Sequence, residues 1–83
     1  MDQVTRTPKL LGIVLQRQRK AIGLTQEALA SSIRLRQATI SALENSTTNA
    51  RLGTLFDTLA ALDLELVVRT RSKGSTKDIE RIF

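Results

Sequence analysis

Leu24-Thr25-Gln26-Glu27-Ala28-Leu29-Ala30, followed by Thr39-Ile40-Ser41-Ala42-Leu43-Glu44, is the stretch that decides how this chain folds. It reads as two short helices joined by a tight turn. Thr25 is placed to cap the first, because its hydroxyl can accept a hydrogen bond from a free amide of the opening turn. Leu29 and Ile33 are expected to face inward, with Ala28 and Ala30 small enough to let a second helix cross closely. The second helix is expected over residues 36–45, with Ile40 and Leu43 as its inward pair. Arg36, Gln37, Ala38, Ser41 and Ala42 then form an outward strip that is polar and short-chained, with one cation at its start. Such a strip suits a helix laid into a DNA major groove, whose base edges offer donors, acceptors and thymine methyls.

Working outward, Thr7-Pro8 marks an earlier helix start: a hydroxyl cap, then proline at the first helical position, where its missing amide costs little. That helix is expected over 8–22, with Leu11, Leu15 and Ile22 at helical spacing and Val14 beside them. Gly23 is a suitable stop, since glycine takes left-handed torsions freely. Arg17, Arg19 and Lys20 crowd the last turn, where cations suit the carbonyl end of the dipole. The second helix is expected over 25–32. After the turn-rich Asn45-Ser46-Thr47-Thr48-Asn49, a fourth is expected over 51–62, where Leu52, Leu55, Phe56, Leu59 and Leu62 make the strongest amphipathic stripe of the chain and read as core.

Beyond it the period changes. Leu64, Leu66 and Val68 alternate with Glu65, Val67 and Arg69, as in a strand. A lone strand leaves its backbone unpaired in so small a unit, so the same strand of a second copy about a two-fold axis is its expected partner. The expected architecture is therefore all-α, four main helices with a short C-terminal strand, Leu64, Leu66, Val67 and Val68, pairing across a homodimer. The chain divides into an N-terminal arm (1–7), a DNA-binding and dimerisation domain (8–70) and a charged, flexible tail (71–83). Ile79, Ile82 and Phe83 close the tail at spacings that align them on one face of a helical turn, an anchor for a partner's apolar groove.

Composition agrees with one small domain: 83 residues, with 13 Lys and Arg against 8 Asp and Glu, a formal net charge of +5. That balance favours an anionic partner such as nucleic acid. Cysteine and histidine are absent, which excludes disulfides, thiolate metal sites and a histidine general base. No residue set supplies an activated nucleophile, a metal site or a phosphate-cradling glycine loop, so neither an enzyme nor a cofactor is expected. No apolar run approaches the ~20 residues of a membrane span, so no membrane partner is expected and a cytoplasmic protein is the natural reading.

The pattern LeuThrGlnGluAlaLeuAla…GlnAlaThrIleSerAlaLeuGlu resembles the Xre-type helix-turn-helix domain of phage repressors and Cro-like regulators over about residues 10–62. A fourth helix running straight into a short strand, and GlnAlaThrIleSer in the recognition helix, are similar to the HipB-type antitoxins. The resemblance implies a dimeric operator-binding protein that represses its own operon and holds a HipA-like serine/threonine kinase toxin. A stand-alone repressor of the same fold, without a toxin, is the alternative.

The resemblance also assigns roles. Gln26 matches the side chain that supports a phosphate contact, and Arg36 and Gln37 match the residues that enter the groove. Ala38, Ser41 and Ala42 match the rest of the DNA face, Thr39 and Asn45 match backbone contacts, and Arg19 and Glu44 match a structural ion pair. Three positions depart from the pattern. Arg34 stands where the turn usually has glycine, Gln18 where helix one is usually apolar, and Arg51 where a hydroxyl often caps helix four, which would then open from Asn49.

Overall fold

The computed structural model of the chain describes residues 2–71. Their regular structure is helical: α1 (Pro8–Ala21), α2 (Gln26–Ser32), α3 (Gln37–Asn45) and α4 (Leu52–Ala61). Ile79, Ile82 and Phe83 lie outside the described residues, as does nearly all of the tail.

The first two helices open as their caps dictate. Thr7 Oγ1 accepts from the Leu10 amide at 3.1 Å ahead of Pro8, and Thr25 Oγ1 accepts from the Ala28 amide at 3.0 Å. α3 and α4 open from Arg36 and Arg51, neither of which makes a side-chain cap bond. An arginine side chain has no acceptor to offer the first turn. The start expected at Asn49 is not taken.

All four helices end alike. A residue with positive φ follows each: Gly23, Arg34, Ser46 and Asp63. The next amide then reaches back to the last turn: Leu24 to Arg19 O at 3.0 Å, Leu35 to Ala30 O at 2.8 Å, Thr47 to Ala42 O at 3.0 Å and Leu64 to Leu59 O at 2.8 Å. These are Schellman closures, and they pair carbonyls that a helix end otherwise leaves free. Leu24, Leu35 and Leu64 also pack on the core, which supplies the apolar contact such closures favour.

Arg34 keeps the left-handed torsion, with φ 58°. That conformation costs an L-residue about 1–2 kcal/mol, and glycine would relieve it while loosening the unfolded chain by up to ~1 kcal/mol. Arg34→Gly should therefore stabilise the domain by roughly 0.5–1 kcal/mol and raise Tm by a few degrees. A melt no higher than that of the unaltered protein would mean that contacts of the arginine stem offset the strain.

The core is Leu15, Leu29, Ala30, Ile40, Leu43, Leu59 and Leu62, with Leu11, Ile33 and Leu55 packed around it. α1 and α2 both pack on α3, and α2 touches α4. Four expected core or contact positions are corrected. Leu52 and Phe56 are 68% and 46% exposed, because α4 has fewer neighbours than its stripe is wide. Ile22, the residue that caps the end of α1, and Ala28 are exposed as well. Buried in α4 instead is Thr58, its hydroxyl donating to Thr54 O at 2.8 Å. Gln18 has a use the apolar pattern hid: its Nε2 donates to Leu62 O at 2.9 Å, a carbonyl at the end of α4.

The segment 64–70 carries no ladder in the single chain. Leu64 is half-buried, whereas Leu66, Val67 and Val68 are exposed. The partner expected for this strand is a second copy, which a single chain does not contain.

Candidate nucleic-acid interface

The candidate site is built from the α2–turn–α3 unit. Ile40 and Leu43 fix α3 on the core, and the helical period then decides what faces out. Arg36, Gln37, Ala38 and Asn45 are exposed, while Thr39, Ser41 and Ala42 are half-buried along the same surface. The sequence-predicted residues are thus gathered on one face. Gln26, at the first turn of α2, stands beside the start of α3: Gln37 Nε2 donates to Gln26 Oε1 at 2.5 Å. Farther along, Asn45 Nδ2 donates to Ser41 Oγ at 3.4 Å.

Behind this surface lies the ion pair. Arg19 Nε donates to Glu44 Oε2 at 2.6 Å and its Nη2 to Oε1 at 3.1 Å, a two-pronged pairing. The residues are 7% and 6% exposed. Arg19 Nη1 also donates to Leu24 O at 2.8 Å, and Gln26 Nε2 donates to Glu44 Oε1 at 3.0 Å. A continuous set of bonds thus runs from the α1–α2 turn through Arg19, Glu44 and Gln26 to Gln37. Gln37 is exposed, and its second N–H and its Oε1 enter no other side-chain hydrogen bond among the described residues. They form the donor and acceptor pair that can meet N7 and N6 of an adenine.

Sequence reasoning missed two parts of this arrangement. Gly12 is buried where α1 crosses the end of α3, and a Cβ there would press on the Glu44 carbonyl oxygen and lie 2.8 Å from that of Leu43. A glycine inside a helical pattern was its only signal. The second is the loop after α3. Arg36, Ala38, Thr39 and Ala42 share a cleft of about 540 Å³ with Thr48, Asn49, Ala50 and Arg51, which brings a second cation to the rim of the strip. The uncapped Arg51 was visible in the sequence, but its place beside Arg36 follows only from the fold.

Among the described residues no group of acidic side chains is arranged to hold a metal ion, and no helix is long and apolar enough to cross a membrane.

A helix-turn-helix family model matches residues 15–68. The antitoxin HipB of Escherichia coli strain K12 is 33% identical over 75 residues, which span 90% of this chain and 85% of that protein. Among solved structures, the chain is similar to one described as a HipA-HipB-O2-O3 complex, with TM-score 0.78 and 34% identity over 86% of this chain and all of the other. A HipB-O4 20mer complex matches equally, again with TM-score 0.78 and 34% identity over 86% of this chain and all of the other. The site geometry, the family match and these relatives together place the chain in the Xre-type helix-turn-helix family, among its HipB-like antitoxins.

Proposed function

We propose that the protein is a DNA-binding autorepressor that acts in the cytoplasm as the antitoxin of a HipA-like serine/threonine kinase toxin. The observation that carries the reading is the outward strip of α3 with Gln37 held at its first turn by Gln26, itself bonded to the buried Glu44. A reading fork held in place before binding loses less rotamer freedom on the DNA. The relatives support the rest: HipB is named an antitoxin, and one similar structure is described as a HipA-HipB-O2-O3 complex.

Arg36 and Gln37 enter the major groove, Ala38 and Ala42 offer methyls to thymine, and Ser41 completes the base-facing strip. Gln26, Thr39 and Asn45 meet the sugar-phosphate backbone. Direct readout is concentrated in the first turn of α3, because Ala42 has no polar group to offer. Gln37→Ala should weaken operator binding by about 1–3 kcal/mol and relax one base position. Arg36→Ala should also weaken it, with a shallower salt dependence if its contact is a phosphate. Titration of a labelled promoter fragment measures both, and unchanged affinity in the two variants would move recognition away from α3.

The working form is a homodimer. Leu66, Val67 and Val68 are exposed in the single chain, and an antiparallel pairing of the 64–70 segments would supply both their backbone bonds and their cover. Two recognition helices would then read half-sites about 10 bp apart, or a multiple of that. Val67→Pro removes a ladder donor and should shift the protein toward monomer at micromolar concentration, as read by sedimentation. A dimer that persists would place the main contact elsewhere.

Co-purification of the protein with the products of adjacent genes, a kinase among them, and loss of operon repression on deletion of the protein, test the reading as a whole. Repression without any kinase partner would leave a stand-alone repressor.

A further inference from the structure

The bonds that join Glu44 to Gln37 have a direction as well as a path. Glu44 is buried and, paired with Arg19 by two prongs, offers only acceptors. Gln26 must therefore turn its amide nitrogen toward Glu44, where Nε2 donates to Oε1 at 3.0 Å. Its own Oε1 is left on the other side, and Gln37 must meet that oxygen with a nitrogen. Reversing Gln37 alone would set its oxygen against Gln26 Oε1. Reversing both amides would set Gln26 Oε1 against a carboxylate that is shielded from water. One N–H of Gln37 is thus committed, and what remains for a base is one N–H and one carbonyl oxygen.

A glutamine free to turn is ambiguous as a reader of purines. A donor with an acceptor suits N7 and N6 of adenine, whereas the two donors of its NH2 group suit N7 and O6 of guanine. We infer that Glu44 removes this ambiguity: acting through Gln26, its carboxylate makes Gln37 a reader of adenine and turns it against guanine. The inference rests on the reading of α3 as the helix that enters the groove. Glu44 is buried behind the strip, so it is a positioning residue, and what it sets is the choice between two purines. Arg19 contributes by holding the carboxylate through both oxygens, which keeps Oε1 aimed at Gln26.

Competition titrations with variants of the protein's own promoter fragment test this. The position read by Gln37 is found first, as the base pair whose replacement no longer matters in Gln37→Ala. Guanine opposite 5-methylcytosine is placed there, which keeps the methyl group of the partner strand. Purine, which differs from adenine only in lacking the 6-amino group, is the reference. The unaltered protein should bind the guanine site several-fold more weakly than the purine site, because O6 meets Gln37 Oε1. An amide free to turn would take guanine at least as well as purine, and that result would overturn the inference without recourse to a variant. In Glu44→Gln the preference for adenine over guanine should narrow at least about fivefold, since the new amide can donate to Gln26 and let the chain of amides reverse. Gln26→Leu, which leaves Arg19 and Glu44 paired, should narrow it likewise, while the lost phosphate contact weakens all sequences alike. Each ratio is taken within one preparation, so a lowered folded fraction cancels. An unchanged ratio in either variant would overturn the relay and leave the DNA-binding reading standing. The lack of any base pair that depends on Gln37 would overturn both the groove assignment of α3 and the relay.

Discussion

Replacing Gly12 by alanine is expected to cost the domain about 2–3 kcal/mol, from a methyl group that would ordinarily strengthen a helix. Alanine is favoured over glycine inside a helix by about 1 kcal/mol, so intrinsic propensity predicts a gain. The crossing of α1 over α3 reverses the sign. The added carbon meets backbone atoms, the carbonyl oxygens of Glu44 and Leu43, which cannot rotate aside as a side chain can. α1 must lift, and the 2.6 Å bond between Arg19 and Glu44 stretches with it. Overpacking of this kind costs about 1–3 kcal/mol, occasionally more. Urea unfolding measures it, and Gly53, where a new Cβ would meet nothing within 4 Å, is the control: Gly53→Ala should be neutral or stabilising. Equal behaviour at the two glycines would show that the helices separate freely.

Truncating either member of the buried ion pair should have a larger effect. Arg19→Ala leaves the Glu44 carboxylate with Gln26 alone, and Glu44→Ala leaves a guanidinium with one carbonyl partner. Breaking a buried pair from one side typically costs 3–5 kcal/mol, because the survivor is a charge without compensation. Domains of this kind hold only about 5–15 kcal/mol in total, so each variant should lose a large share of its stability and melt well below the unaltered protein. Replacing both at once, Arg19→Met with Glu44→Leu, should recover much of the loss, since no orphan charge remains. The double-mutant cycle reads the coupling directly. Small, additive effects would show the pair to be solvated. Operator binding gives a second readout: the double variant removes the anchor of Gln26 and should bind DNA more weakly than its stability alone would require.

Much of this was legible in the sequence because it is local. Thr7-Pro8, Thr25 and Gly23 announce helix boundaries through chemistry contained within a turn or two, and the structure places them there. The outward strip of α3 followed from period alone, once Ile40 and Leu43 were taken as inward. What the pattern could not give depends on what a residue meets across the fold. Gly12 carries no mark in the helical pattern and is a crossing point. Gln18 looked misplaced among apolar neighbours and closes a carbonyl of α4. Phe56 and Leu52 looked like core because amphipathicity records a face, not whether another element covers it. Arg34 lacked the expected glycine, yet the turn keeps its left-handed form, since two backbone bonds and the burial of Leu35 hold it there.

The four helix closures are not mechanically equivalent. Three of them set a leucine back against the core, so the exits of α1, α2 and α4 are each anchored where they begin. The exit from α3 instead passes to Thr47, Thr48, Asn49 and Ala50, all exposed. Compliance in the domain is therefore concentrated in one place, between α3, the proposed recognition helix, and the helix that leads to the 64–70 segment. In the proposed dimer, two reading heads joined through such elbows would accommodate a range of groove spacings and curvatures while each head stays stiff. The price of that tolerance falls on the selectivity for spacing, not on the recognition of bases.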